Sequence, residues 1–255
     1  MTAAPAMGVQ DPMAEAARVV EAAQSASLNL RVTGGVAIAM ICPSARDGVL
    51  ARSYADVDFI GLRGDTPAIE SFFPQIGYVA EEEFNALHGE NRLFFQDLEL
   101  EREADVFIDA VRACHHLDVR DRLDVWERTL APADLLLSKL QVVQTNEKDF
   151  KDAIALLADH ELTDDESGIC VPHIAGLCAQ DWGWWRTVTM VAERTAGVAE
   201  EWARDTPALG VVPGKLRTLL DEIERAPKSR KWKLRAKVGD RVRWHEEPEE
   251  LDHGH

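Results

Sequence analysis

Short runs of alternating apolar and polar residues occupy the first half of the chain and predict a mixed β-sheet. Helical periodicity between these runs predicts helices near residues 12–26, 34–41 and 66–74. The triplet Gly89-Glu90-Asn91 predicts a turn between the third and fourth strands. The predicted strands lie near residues 29–33, 56–62, 77–82, 91–97 and 104–109.

The second half of the chain is predicted to be mainly helical. Residues 132–160 are predicted to be helical, with a second helix over residues 151–158, and residues 163–168 form a predicted polar linker before a tryptophan-rich stretch. We therefore predict an α+β fold, with a mixed β-sheet flanked by helices and followed by a helical C-terminal region. The predicted divisions of the chain are residues 1–130, 131–225 and 226–255, the last of which combines a basic segment with an acidic tail.

Two aspartates, Asp56 and Asp58, stand one residue apart in an otherwise apolar predicted strand. Alternation places both carboxylates on one face and sends Val57 and Phe59 to the other. Adjacent anions repel each other, and a divalent cation between them removes that repulsion. Mg²⁺ suits the pair because it binds carboxylates together with substrate phosphates. The alternative is a pair of aspartates that simply faces solvent, which is the commoner case for an isolated Asp-x-Asp.

A glycine pair upstream of these aspartates has the pattern of a phosphate site. Gly34 and Gly35 follow a predicted strand that ends at Thr33, and they open a predicted apolar helix. Glycine lets the backbone approach a ligand closely, and the unpaired N–H groups of a helix N-terminus favour an anion. The alternative is an ordinary tight turn.

A later predicted strand is also acidic. Alternation over residues 104–109 places Asp105 and Asp109 on one face. If this strand lies beside that of Asp56 and Asp58, Asp105 completes a cluster of three carboxylates able to hold two metal ions about 4 Å apart. Asp109 is the weaker candidate ligand, because it lies further along the strand and can simply end it.

Together these motifs resemble the signature of the nucleotidyltransferase superfamily with the polymerase-beta-like fold, in which a glycine pair, an acidic-x-acidic strand and a later acidic residue follow one another. The chain looks most like small bacterial members related to abortive-infection and similar toxin nucleotidyltransferases. Those members carry a helical Lys followed by a Lys/Arg-Asp-x-x-Asp motif, and here Lys139 and residues 148–152 fit that description. The resemblance covers roughly residues 28–160. It departs at Gly35, where many active members have Ser, and at residues 42–50, which widen the gap between the first two motifs.

The resemblance implies an enzyme that moves a nucleoside monophosphate from a nucleoside triphosphate such as ATP to a hydroxyl-bearing acceptor. Residues 1–130 would form the catalytic core, and residues 131–225 would complete the active-site cleft. The acceptor can be a tRNA, a protein or a small molecule, and a toxin-like member has an antitoxin protein as a further partner. The implied metal ligands for Mg²⁺ or Mn²⁺ are Asp56, Asp58 and Asp105, with Lys139 as a further catalytic residue; the implied nucleotide-binding residues are Thr33, Gly34, Gly35, Arg52 and Lys139.

Two cations can also be judged from chemistry alone. Lys139 lies in the middle of a predicted apolar helix; exposure to solvent is the ordinary state of a lysine, whereas an inward ammonium would neutralise triphosphate charge. Arg52, four residues before Asp56, is a second cation that could reach a phosphate or the base, and it is a weaker candidate than Lys139. Asp149 is predicted to cap the following helix or to orient Lys139, and capping is the simpler role.

Two other classes of function stay open. A catalytically weakened member of the same fold would bind a nucleotide or a protein partner without turnover, which the replacement of Ser by Gly35 permits. A glycosyltransferase would use Asp56 and Asp58 to bind a nucleotide sugar, but this alternative leaves the glycine pair and Asp105 unexplained.

Composition indicates a folded chain without a membrane span. Apolar residues make up 46% of the 255 positions, yet no run approaches the roughly 18–20 apolar residues of a membrane helix. The N-terminus lacks the features of a signal peptide, so a cytoplasmic location is expected. The four cysteines show no C-x-x-C spacing, which predicts neither a disulfide framework nor a zinc site.

The net charge of −17 argues against nonspecific coating of nucleic acid. Residues 228–243, here called the basic segment, depart from that trend with eight basic residues and one acid, and the rest of the chain carries about −24. Alternation predicts a hairpin that turns at Gly239-Asp240. The segment can be an RNA or nucleotide surface on which Trp232 and Trp244 stack bases, or a strip salt-bridged to the acidic body of the protein; the second interpretation is favoured.

Overall fold

The computed structural model describes residue 8 and residues 10–247, and the predicted acidic tail beyond Glu247 lies outside them. The chain forms two compact units. The first unit comprises the chain up to Arg46, residues 52–111 and residues 118–131. The second comprises residues 47–51, residues 112–117 and the chain from Pro132 onward.

The first unit contains the large sheet and four helices. The helices are α1 (Pro12–Ser25), α2 (Gly34–Ile41), α3 (Thr66–Gln75) and α4 (Glu82–His88). The strands are β1 (Arg31–Thr33), β2 (Asp56–Gly61), β3 (Val79–Ala80), β4 (Arg92–Asp97) and β5 (Arg102–Ile108). Two short strands, β6 (Ala110–Arg112) and β7 (His116–Asp118), form a separate two-stranded sheet, and residues 112–117, which include the turn between them, belong to the second unit.

The large sheet is mixed, with the strand order β1-β2-β5-β4-β3. β2 and β5 are parallel, and the other neighbouring strands are antiparallel. One face of the sheet is apolar and buried. Phe73 of α3 packs on this face, stacking on Phe95 with ring centroids 4.3 Å apart and meeting Phe59 edge-on at 5.8 Å. The buried side chains of this face are Val57, Phe59, Leu93, Phe95, Ala104 and Val106.

The second unit is mainly helical. Its helices are α5 (Pro132–Leu140), α6 (Glu147–Asp159), α7 (Val171–Gln180), α8 (Trp182–Trp202), α9 (Val212–Arg225) and α10 (Arg230–Ala236), and its short parallel strands are β8 (Leu162–Thr163) and β9 (Ile169–Cys170). The long helix α8 packs against α5, α6, α7 and α9. Asp181 begins α8 by accepting hydrogen bonds from the backbone N–H groups of Gly183 and Trp184.

These elements confirm the predicted α+β class, the mixed sheet with flanking helices and the helical C-terminal region. The predicted first helix, α2 and the strands of Asp58 and Asp105 lie within a few residues of their predicted bounds. No helix in the described part of the chain is both long enough and apolar enough to cross a membrane.

The structure adds detail to two predictions about local structure and contradicts a third. The turn predicted at residues 89–91 is present, and helix α4 precedes it after β3. The Asn85 side chain fixes this helix by hydrogen bonding with the N–H and C=O of Phe94. The helical stretch predicted over residues 132–160 consists of α5 and α6. A capping box between Asn146 and Asp149 begins α6, in line with the predicted capping role of Asp149.

The contradicted prediction concerns the basic segment, which is helical over α10 rather than a hairpin. The hydroxyl of Ser229 accepts a hydrogen bond from the N–H of Trp232, so α10 has a regular N-cap. Lys, Arg, Leu and Ala favour helices, and this local preference outweighs the alternation. Gly239, the predicted turn residue, opens a short 3₁₀ turn after α10.

Candidate active site

The polar face of the large sheet brings two of the predicted acidic strands together. β2 and β5 are neighbours, and in their parallel register Asp58 stands opposite Asp105 and Asp56 opposite Glu103. Paired residues of neighbouring strands share a face, so these four carboxylates lie on one side of the sheet. Asp56 is exposed, Asp58 is half-buried and Asp105 is buried. The carboxylates therefore extend from solvent into the protein.

The glycine turn lies directly against Asp58. Gly34 has a φ of +66°, which favours glycine, and it begins α2 where β1 ends. A Cβ at this position would overlap Asp58 Oδ2 and lie 2.9 Å from its Cγ. Thr33 pairs with Asp58 across β1 and β2, and its buried Oγ1 has no hydrogen-bond partner among the described residues. The start of α2 thus offers one hydroxyl without a hydrogen-bond partner in the described part of the chain, next to a carboxylate.

A guanidinium covers the second glycine. A Cβ on Gly35 would overlap Arg52 Nη2 and lie 2.8 Å from Arg52 Cζ. The same guanidinium stacks over the Tyr54 ring, with Cζ 4.3 Å from the ring centroid. Arg52 therefore sits at the N-terminal end of α2, the end that favours an anion. A serine at position 35 would have to displace it, which gives the departure from the family pattern a structural correlate.

Arg92 is a functional candidate that the sequence analysis missed. Its Nε donates to Asp105 Oδ1 over 2.5 Å, and both side chains are largely buried. Burial opposes the charge of Arg92, but the hydrogen bond and charge of Asp105, with the charges of Asp58 and Glu103, outweigh it and raise the Arg92 pKa. Arg92 is thus a permanent cation among these acids.

The signal that could have revealed Arg92 is weak. Arg92 pairs with Phe107 across β4 and β5, and Phe94 pairs with Asp105, so Arg92 lies diagonal to Asp105 on the same face. In the sequence it is merely one arginine at the start of a strand. Only the pairing of β4 with β5 turns it into the partner of an acidic residue.

The charges bear on how a metal ion would fit. Asp56, Asp58, Glu103 and Asp105 bring four negative charges to this face, and Arg52 and Arg92 bring two positive charges next to them. Within residues 10–247, no group of three or more His, Cys, Asp or Glu side chains is arranged as a ready metal site. Asp105 is engaged by Arg92, so the predicted two-metal cluster needs that ion pair to open.

Asp109 is bound as a structural residue. It follows β5 with a φ of +65°, and its Oδ1 accepts a hydrogen bond of 2.9 Å from the backbone N–H of Arg63. Its Oδ2 lies 3.3 Å from Arg63 Nε. This geometry ends the strand, the role that the sequence analysis offered as the alternative to metal binding.

Lys139 belongs to the second unit and is described within it. It lies in the last turn of α5 rather than mid-helix, and its side chain is 15% exposed. Its Nζ lies 2.9 Å from Asp152 Oδ2 and 3.7 Å from Asp149 Oδ1. Asp149 also accepts a hydrogen bond from the backbone N–H of Asn146, so it caps α6 and contacts Lys139 at once.

The comparisons with known proteins give no family assignment. A scan against protein-family models finds no match, and a search of curated proteins finds no significant match.

Proposed function

We propose that this chain is a metal-dependent nucleotidyltransferase that uses the polar face of its large sheet. The observation that carries the proposal is the register of β2 and β5, which sets Asp58 opposite Asp105 while Gly34 holds the start of α2 against Asp58. Carboxylates beside a helix N-terminus are the groups needed to hold a cation and a polyphosphate together. We place the protein in the cytoplasm, where nucleoside triphosphates and Mg²⁺ are available.

The reaction assigned to this face is the transfer of a nucleoside monophosphate. An acceptor hydroxyl oxygen attacks the α-phosphorus in line, the bond from that phosphorus to the bridging oxygen breaks, and pyrophosphate leaves. The hydroxyl proton passes to a carboxylate of the cluster. Asp56 and Asp58 would hold Mg²⁺ or Mn²⁺, which when bound neutralises phosphate charge.

The remaining residues have proposed roles that follow from their contacts. Thr33 Oγ1, the first N–H groups of α2 and the Arg52 guanidinium supply donors and positive charge for the phosphates. Lys139, held by Asp149 and Asp152 in its own unit, is proposed as a further phosphate ligand. The acceptor is a tRNA, a protein or a small molecule, and an antitoxin is a proposed partner.

The substitution Asp58→Asn tests the proposal. It keeps the shape of the side chain and removes one charge, so we expect Mg²⁺-dependent pyrophosphate release from nucleoside triphosphates to fall at least about 100-fold. The measurement is incubation of the full chain with each labelled triphosphate, Mg²⁺ or Mn²⁺, and a panel of tRNA, protein and small-molecule acceptors.

The matched control is Asp121→Asn, which removes the same charge from an exposed loop of the same unit. It should leave turnover unchanged. Equal turnover by wild type and Asp58→Asn would show that the activity does not depend on Asp58. Absence of labelled product with every acceptor of the panel would contradict the proposal that the chain is a nucleotidyltransferase.

A second candidate function has a specific observation in its favour. The ion pair of Arg92 with Asp105, and the guanidinium of Arg52 over Gly35, place the protein's own cations where a metal ion and a phosphate would bind. A module that binds a nucleotide or a protein partner without turnover fits this arrangement. Removal of the Arg92 charge tests whether this arginine occupies the place of a metal ion.

For this reason Arg92→Gln is expected to tighten Mn²⁺ binding about tenfold, equivalent to about 1.4 kcal/mol. The substitution removes the positive charge that pairs with Asp105, and it makes the electrostatic potential at Asp58 more negative. Titration followed by Mn²⁺ electron paramagnetic resonance measures the affinity directly. Arg63→Gln is the control, because Arg63 pairs with Asp109, which is not one of the proposed metal ligands. Unchanged or weaker Mn²⁺ binding by Arg92→Gln would show that Arg92 does not compete with a metal ion.

A further inference from the structure

A cavity of about 840 Å³ lies wholly within the second unit. Its walls come from the turn between β6 and β7, the start of α8, helix α10 and the chain at residues 243–246. This volume is in the range of small-molecule sites, about 300–1,000 Å³. The cavity contains none of the residues assigned above to nucleotidyl transfer.

The aromatic side chains of this cavity are held in fixed positions. Trp244 Nε1 donates to Thr187 Oγ1 over 3.0 Å, and His115 Nε2 lies 2.8 Å from the same oxygen. Since the Thr187 oxygen accepts from Trp244, its own proton is available to His115. The His115 ring also stacks on Trp184, with centroids 4.8 Å apart. Trp244 is half-buried, so it is both anchored and partly accessible.

His115 contributes a neutral edge to the cavity. Burial lowers its pKa to about 4, although the charge of Asp181 opposes that shift. The imidazole is therefore uncharged at neutral pH and can accept a proton from Thr187 in a hydrogen bond. A ligand meets stacked neutral rings here rather than another cation.

The charged side chains of the cavity are mainly basic. Lys231 and Arg243 are exposed at its edge, and Arg235 stacks over Trp182 at 4.6 Å while donating to the carbonyls of Gly239 and Val242. Two acids, Asp181 and Glu246, accompany these three cations. Arg235 is thus a structural anchor, whereas Lys231 and Arg243 can contact a ligand.

The favoured interpretation of the basic segment, a strip salt-bridged to the acidic body, is wrong for most of its members. Among the residues described, only Lys231 and Arg243 of its eight basic residues have a carboxylate oxygen within 4.0 Å, from Asp181 at 3.7 Å and Glu247 at 2.7 Å. The basic residues that are exposed without such an acid in residues 10–247 are Arg230, Lys233, Lys237 and Arg241. The segment therefore projects positive charge beyond the cavity.

We propose that this cavity binds one nucleotide of a single-stranded nucleic acid. The base stacks on the exposed part of Trp244, its phosphate contacts Lys231 and Arg243, and neighbouring phosphates contact the exposed cations of α10 and the chain after it. A cationic ligand is disfavoured by the three basic side chains, and a purely apolar ligand by the charged edge. The cations outside the cavity favour a strand over a free nucleotide, because a mononucleotide cannot reach them.

The test uses the full chain and a fluorescein-labelled oligouridine of about 12 nucleotides, a length in the range of single-strand sites. Fluorescence anisotropy measures the affinity for the single strand at several salt concentrations. The affinities for a duplex RNA of equal length and for uridine monophosphate are measured for comparison. We expect the single strand to bind most tightly and to quench tryptophan fluorescence. Replacing Lys231 and Arg243 together with glutamine should weaken binding about tenfold and reduce the salt slope by about 1.4.

The matched control replaces Arg204 and Arg217 with glutamine. Both are exposed in the same unit, and Arg204 follows the far end of α8, about 30 Å from the cavity end of that helix. This pair should bind the strand like wild type. Equal weakening by the two pairs, binding of the duplex or of uridine monophosphate as tightly as the strand, or no binding of the strand would each overturn the proposal. None of these outcomes depends on nucleotidyl transfer, so the two proposals fail separately.

Discussion

Replacing Phe73 with alanine is expected to lower the free energy of unfolding of the first unit by about 3–5 kcal/mol. Phe73 is fully buried in α3 and contacts four aromatic rings, including the stacked ring of Phe95. Its removal leaves a cavity behind the strands that carry Asp58 and Asp105. The rigid fit of these rings prevents the surroundings from collapsing into that space.

Urea denaturation and thermal unfolding, both followed by circular dichroism, measure this loss of unfolding free energy. The control is Leu87→Ala, because Leu87 is 71% exposed on α4 and its truncation removes little packing. We expect that control to change the unfolding free energy by no more than about 0.5 kcal/mol. Similar losses in the two variants would show that Phe73 does not lie in a tightly packed core.

Replacing Gly34 with alanine is expected to abolish nucleotidyl transfer and to destabilise the first unit. The positive φ of Gly34 costs an alanine about 1–2 kcal/mol. The added methyl group would also overlap the Asp58 carboxylate, so that side chain must leave its position at the start of α2. We expect the rate of pyrophosphate release to fall at least about 100-fold, as for loss of the Asp58 charge.

Gly48→Ala separates the backbone effect from the effect on the site. Gly48 has a φ of +68°, close to that of Gly34, but a methyl group there meets nothing within 4 Å. It should lose stability through the backbone alone and keep its activity. Full activity of Gly34→Ala would contradict a role for this turn in the reaction, and equal destabilisation by both alanines would show that Asp58 moves aside at no cost.

The acidic strands show how far periodicity reaches. Alternation alone predicted that Asp56 and Asp58 share a face, because successive side chains of a strand point to opposite sides. It also placed Asp105 on one face of its own strand. It did not determine which strands are neighbours, and two helices and two strands (α3, β3, α4 and β4) lie between β2 and β5 in the chain. The sheet order, which depends on the packing of the whole unit, set Asp58 opposite Asp105.

The positions of Arg52 and Arg92 depend on contacts that the sequence pattern does not predict. Arg52 was identified from its distance to Asp56 along the chain, but no spacing rule places its guanidinium over Gly35. Arg92 was missed because its partner is thirteen residues beyond it on another strand. Ion pairs across a sheet become visible only when the register is known.

The chain by itself determined the α+β class, the glycine turn that opens α2 and the shared face of the paired aspartates. These features depend on neighbours within a few residues, whose φ, ψ and side-chain directions are set by local sterics. The tertiary structure alone decided that Arg92 pairs with Asp105, that Asn85 of α4 bonds to β4 and that Thr187 joins His115 to Trp244. Each of these depends on groups distant in sequence, whose contacts form only when burial and hydrogen bonding outweigh local preference.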